Sequence, residues 1–167
     1  RVRRFPTLGY DTPNPVNSGA DLVDQAFLFN GDQDRYDWKL VGKKEMYVPY
    51  NMNGFFLKKD AEVLGPKHVN PDHVRWELHR VWVVEATLAA GKRHVQPKRT
   101  FYLDEDTWIA MLADGWDAQG KLWTTELMFP FIAYELPGVL GEQWAIYDFI
   151  KGSFGALTFG ELPIHYK

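Results

Sequence analysis

The sequence predicts a mainly β fold: a curved antiparallel meander sheet with short helices. Three observations carry that prediction. First, residues 74–88 alternate for most of their length, with Val74, Trp76, Leu78, Trp82, Val84, Ala86 and Leu88 at even positions, broken only by Arg80. The odd positions hold Arg75, Glu77, His79, Glu85 and Thr87, with Val81 and Val83 between them. Period-2 alternation marks a strand with one buried face. Ordinary strands run to roughly 5–6 residues, so one this long belongs to a strongly curved sheet that closes into a barrel or wraps around something. Second, the short turn strings 89–92, 104–107 and 117–120 separate successive strand-like runs, which makes a meander. Third, aromatics make up 16% of the chain, with 7 Trp, 8 Tyr and 11 Phe. That favours β structure or aromatic-lined grooves.

Taken in order, residues 9–19 are rich in Gly and Pro and exclude regular structure. Asp21 caps an expected helical stretch over 22–29, with Leu22, Ala26 and Phe29 at helical spacing and Asn30-Gly31 as its stop. A polar connector precedes a strand over 38–50 that ends at Pro49. Residues 51–54 form a turn, and 58–71 form a loop or helical turn before the long strand. Residues 98–104 pair back on that strand, a tight hairpin over 104–107 leads into 108–116, and 121–129 follows. Residues 144–149 and 154–159 form a last hairpin. On 108–116 one face carries Trp108, Ala110, Leu112 and Trp116 and the other Ile109, Met111 and Ala113. Such a sheet needs cover on both faces, from the short helices, a partner chain or a ligand.

A net charge of −3 sets nucleic acid aside as a partner. Zero cysteines exclude a disulfide framework and a thiol nucleophile. No apolar run reaches the roughly 20 residues of a membrane-spanning helix. The basic start, Arg1 to Arg4, reads as the end of a strand whose earlier part is absent. Residues 1–167 are therefore expected to be a single domain that is the C-terminal portion of a longer protein.

Several strings then become recognisable: 34–45 (DRYDWKLVGKKE), 47–51 (YVPYN), 77–88 (ELHRVWVVEATL) and 101–106 (FYLDED). They resemble a bacterial family described as outer-membrane lipoprotein-sorting proteins, in the LolA/LolB-like superfamily. The resemblance implies a LolA-like half-open β-barrel with helices across its mouth, an acyl-chain-sized apolar cavity, a Gram-negative periplasmic location, and association with envelope exporters. It implies no catalytic residues, because the family has no established activity.

Glu77 and His79 share one strand face, where a carboxylate beside an imidazole suits proton transfer or metal binding. With no third ligand in view, an ion-pair ladder with Lys98, Thr100 or Tyr102 is the preferred reading, and no metal site is expected. Arg80 falls on the otherwise apolar face, so it is expected on the core side, paired with a carboxylate such as Asp114 or Glu126 or touching an anionic head group. Asp104 and Asp106 read as hairpin formers. The ligand-binding candidates are Arg80, Trp76, Trp82, Trp108, Trp116 and Trp123, with core packing as the alternative role of the tryptophans. The expected function is non-catalytic, needs no cofactor, and consists in binding a lipid or other apolar molecule in the periplasm. The alternative is a protein-interaction module docking onto an envelope transporter or outer-membrane partner, and an envelope hydrolase using Glu77 or Asp104/Asp106 ranks last. A homodimer through an exposed strand edge is also expected.

Overall fold

Short turns join most successive strands, the long connection from the first strand to the second excepted, and the sheet follows chain order. The computed structural model describes residues 8–15 and 18–157. The strands are β1 (Tyr36–Pro49), β2 (Trp76–Leu88), β3 (Lys98–Asp104), β4 (Ala110–Trp116), β5 (Leu122–Ala133), β6 (Gly138–Asp148) and β7 (Ser153–Leu157). All pair antiparallel in the order β1-β2-β3-β4-β5-β6-β7. The long strand is continuous and begins at Trp76; Val74 instead ends the 3-10 turn Pro71–His73. The expected edge strand at residues 1–5 and the end of the last strand, 158–159, lie outside the described residues.

The sheet is strongly curled. Strands four places apart in a flat sheet lie roughly 19 Å apart, yet β1 packs against β5 as well as β4. Val48, at the end of β1, is wholly buried with Val81 of β2 and Met111 of β4. Gly42, at φ +153°, takes the bulge that interrupts β1 after Leu40. A side chain there would be strained, and the bulge lets the strand bend.

Both faces are covered, as apolar residues on both faces require. One face carries Ala86, Phe101, Ala113, Met128 and Trp144, and the 3-10 segment Val23–Leu28 lies over it with Leu28 at the centre. The other carries Phe129 and Ala145, against Met52, Phe55, Val63 and Val69 of the segment 50–74. That segment holds a 3-10 turn (Met52–Gly54) and one short helix, α1 (Asp60–Val63).

Two expectations are corrected here. The helical stretch over 22–29 is a kinked 3-10 segment, with Phe27 at φ 55° and Leu28 at φ 70°. An α-helix with its Leu22, Ala26 and Phe29 stripe inward would turn Asp24 and Leu28 outward, whereas Asp24, Gln25 and Leu28 are all buried against the sheet. The even positions of β2 are also not uniformly buried. Ala86 is buried under the first cover, while Trp76 and Leu78 extend past that cover and are exposed. Val81, on the opposite face, is buried against Val48 and Met111 inside the curl of the sheet, so the buried parity switches along the strand.

Candidate ligand-binding site

The first cover does not fill its face. Beside it lies an open cleft of about 380 Å³ lined by Phe29, Gln33, Trp38, Val84, Phe101, Leu103 and Ala110. Gln33 is the one polar residue in that set. The register places Val84 opposite Phe101 on adjacent strands, and Leu103 opposite Ala110 on the next pair. Trp38 donates its indole N–H to the Gln33 carbonyl at 2.7 Å and meets Phe29 edge-on at 5.2 Å, so the wall is held in place. Trp82 sits opposite Leu103 and carries the apolar surface outward. Its ring stacks on Trp108 at 6.1 Å. Trp108 does not belong to β4: it precedes the strand at φ 62° and is 64% exposed. An exposed, bulky aromatic in the left-handed region is strained.

At the rim of this surface Glu105 accepts from Arg80 Nε at 2.6 Å, and Lys43 Nζ lies 2.6 Å from its other oxygen and 4.0 Å from the Trp82 ring. Arg80 is thus corrected: it lies at the surface, its side chain 57% exposed, with Glu105 as partner in place of Asp114 or Glu126. Its position on the even parity lies beyond the edge of the cover. The hydrogen bonds from Arg80 and then Lys43 hold the Glu105 carboxyl at about 2, below its ordinary 4.5. A carboxyl depressed in the fold stabilises above its unfolded value, so this contribution is present above about pH 4.5 and is lost as pH falls toward 2. Exposed pairs are worth little. Arg80→Ala is expected to melt within about 2 °C of the parent at neutral pH, read by circular dichroism.

Beneath the first cover lies a buried polar network that the sequence did not reveal. Arg99, 1% exposed, donates to Asp24 Oδ2 at 2.9 Å. His94 Nε2 lies 3.1 Å from the same oxygen, an ion-pair distance without hydrogen-bond alignment. Gln25 donates to Glu126 Oε1 at 2.8 Å, and Gln96 donates to Thr124 Oγ1 at 2.9 Å. Burial pushes the Glu126 carboxyl well above the usual carboxylate range, against the nearby Arg99 charge that lowers it. Gly115 leaves room for the Gln96 amide: a Cβ on it would stand 2.6 Å from Gln96 Nε2 and push the side chain aside. The fold turns Asp24 and Gln25 of the cover segment inward.

The remaining candidates are not gathered at the cleft. Trp76 shares the cleft's face but stands exposed at the outer end of β2, across from Pro49. Trp116 lies on the opposite face, with Lys98 Nζ 5.2 Å from its ring. Trp123 lines a separate cavity of about 170 Å³ with Leu22, Gln25 and Val95. Phe29, Trp38, Phe101 and Leu103 line the cleft and are not among the ligand-binding candidates of the sequence; the strand pattern of 38–50 carries the signal for Trp38.

Glu77 and His79 form no ladder with β3, because β2 pairs with β3 only from Val81 onward. The turn after β3 reaches back to them, docked by a backbone hydrogen bond from Glu105 N to the Arg80 carbonyl at 3.2 Å. His79 Nδ1 lies 2.8 Å from Asp104 Oδ1, and its Nε2 lies 3.4 Å from Glu77 Oε2. Tyr50 stacks on the imidazole at 4.1 Å. Burial first, then the charges of Asp104, Asp106 and Glu77, push the Tyr50 hydroxyl up to about 12.

An open, curled antiparallel sheet with short segments across its faces and an apolar cleft defines a LolA-like half-barrel. A solved domain from Vibrio parahaemolyticus described as an outer membrane lipoprotein-sorting protein has this fold. It superposes with a TM-score of 0.54 at 13% identity, over 88% of this chain and 47% of that one. The family model described as "Protein of unknown function (DUF1329)" matches residues 1–161, and the chain belongs to that family. Uncharacterized protein PA3922 of Pseudomonas aeruginosa is 42% identical over 161 residues, 94% of this chain. The chain spans about a third (35%) of that relative's length. A solved DUF1329 family protein from Desulfovibrio piger superposes with a TM-score of 0.47 at 17% identity, over 74% of this chain and 38% of that one. No helix among the described residues is long and apolar enough to cross a membrane.

Proposed function

We propose that this chain binds an apolar ligand of the acyl-chain type in the cleft between Trp38 and Leu103, without catalysis, as part of a longer periplasmic lipid- or lipoprotein-handling protein. The observation that carries the reading is the cleft itself: about 380 Å³, with a lining apolar except for Gln33. Ligand pockets are of this size and character. A buried methylene contributes about 0.8 kcal/mol, so roughly ten of them reach the 8 kcal/mol of micromolar binding without specific chemistry. Trp82 and Trp108 extend the surface the chain would follow, and Arg80 and Lys43 stand where a polar head group would emerge. The likeness in fold to a solved outer membrane lipoprotein-sorting domain supports the periplasmic location.

The test is calorimetric titration with palmitate below its micellar concentration. The parent is expected to bind one equivalent at micromolar Kd, and Ala110→Trp, which fills the cleft, to bind at least tenfold more weakly with an unchanged melt. No saturable binding by the parent, or equal binding by Ala110→Trp, refutes the proposal.

A second reading, docking onto an envelope transporter or outer-membrane partner, draws on a different surface. Tyr47, Leu78 and Trp76 are 65%, 57% and 42% exposed at the outer end of the β1–β2 ribbon, and pairing puts them on one face. Contiguous exposed apolar side chains favour contact with another macromolecule. Beside them the outer edge of β1, with no neighbouring strand among the described residues, is where a second copy would pair in a homodimer. The bulge at Gly42 and the charges of Lys39, Lys43 and Lys44 oppose such pairing.

A further inference from the structure

The cluster around His79 lies on the other face of the sheet from the cleft, and nothing in the apolar-ligand reading uses it. The ends of three segments meet there. β2 supplies Glu77 and His79 two residues apart, so both point the same way. β3 ends on Asp104, the turn after it supplies Asp106, and the chain leaving β1 lays Tyr50 over the imidazole. One donor atom each from His79, Asp104 and Asp106 lies within 4.8 Å of the other two.

Three features separate this group from an ordinary surface ion pair. The first is the imidazole's double engagement: each of its nitrogens faces a carboxylate oxygen, at 2.8 Å and 3.4 Å. The ring is thereby fixed in orientation, with Nδ1 aimed at the Asp104 carboxylate. The second is the charge balance. Three carboxylates surround one ring, and the cation paired among them is Arg75, on the far oxygen of Glu77 at 2.9 Å. The third is the division of labour between the two aspartates. Asp104 is wholly buried, and its other oxygen accepts from Thr107 N at 3.0 Å and Thr107 Oγ1 at 2.8 Å. Such bonds orient a ligating carboxylate in metal sites. Asp106 is exposed and takes no hydrogen bond among the described residues, yet its carboxylate comes within reach of both His79 and Asp104.

We propose that His79, Asp104 and Asp106 form a binding site for a divalent transition-metal ion of the zinc class. One imidazole nitrogen with two carboxylate oxygens suits zinc and its neighbours, whereas calcium and magnesium favour all-oxygen sets. Donors on an ion at about 2.0–2.2 Å sit roughly 3.3–3.6 Å apart in a tetrahedron, so an entering ion would open the 2.8 Å contact between His79 and Asp104 slightly while the exposed Asp106 swings in. The bound ion would tie β2 to the turn after β3, and with it the outer end of the β1–β2 ribbon to the body of the sheet.

The experiment is calorimetric titration of the chelator-stripped 167-residue chain with zinc chloride, alongside thermal melts with and without zinc. The parent is expected to bind one equivalent at micromolar Kd or tighter and to melt higher with zinc present. Asp106→Asn is the decisive variant, because that carboxylate holds no part of the fold. It is expected to melt like the parent without zinc, to bind zinc at least tenfold more weakly, and to lose the zinc-dependent rise. His79→Gln is expected to abolish the site. Absence of binding in the parent, or undiminished binding in Asp106→Asn or His79→Gln, overturns the proposal. Undiminished binding would place the zinc on other residues of the chain.

Discussion

Arg99→Ala is expected to cost the fold about 3–5 kcal/mol, a drop in Tm on the order of 10 °C for a domain of this size. Arg99 is 1% exposed, and its partner Asp24 is 0% exposed. Removing the guanidinium leaves the Asp24 carboxylate in an interior where its remaining neighbour, His94, lies at 3.1 Å without hydrogen-bond alignment. An unpaired buried charge costs far more than the pair contributed. The effect would also be directional. Asp24 belongs to the cover segment and Arg99 to β3, so the cover from Val23 to Leu28 is the part expected to lift, opening the cleft that Phe29 helps to wall. Urea denaturation measures the loss, and amide exchange over residues 22–29 locates it. The double variant Asp24→Leu/Arg99→Met, which removes both charges and keeps apolar volume, is expected to lose less than Arg99→Ala alone. A loss below about 1 kcal/mol for Arg99→Ala would mean that water reaches Asp24.

Phe129→Ala is expected to destabilise by a similar amount, about 3–5 kcal/mol, through a different mechanism. Phe129 is wholly buried on the second face, its ring parallel to that of Phe55 at 5.5 Å. Ala145 of β6 joins them, and Met52, Val63 and Val69, all from the segment 50–74, complete the cluster. Truncation removes the ring's transfer free energy and leaves a cavity that the rigid sheet on one side cannot collapse to fill. The segment over that face has one short helix and two 3-10 turns to stiffen it, so its packing on Phe129 is what holds it down. Equilibrium unfolding gives the magnitude. Phe129→Leu, which keeps most of the volume, is expected to cost about 1–2 kcal/mol. Equal effects of Ala and Leu would point to the ring stack with Phe55, and not the volume, as the stabilising element.

How much of this was legible beforehand varies by element, for physical reasons. The 74–88 alternation located β2 to within two residues, because side-chain period is a local property of an extended backbone. The hairpins at 104–107 and 117–120 were legible for the same kind of reason: turn chemistry is written in Asp and Gly over a few residues. The need for cover on both faces could be read from Trp108 to Trp116, where both parities are apolar. By contrast, the segment 22–29 carries helical spacing that the sheet overrides, since burying Asp24, Gln25 and Leu28 together outweighs local helix geometry.

The sequence by itself determined the strand order, the antiparallel pairing of neighbours and the aromatic richness of the sheet, because each depends on residues close together in the chain. Only the tertiary structure decided which aromatics share a cleft, that Arg80 meets Glu105 at the surface while Arg99 is the buried arginine, and that His79 faces Asp104 and Asp106. Those outcomes join residues 25 to 75 positions apart. They depend on the curl of the sheet and on which end of each face a cover segment reaches, and no local pattern of side chains encodes either.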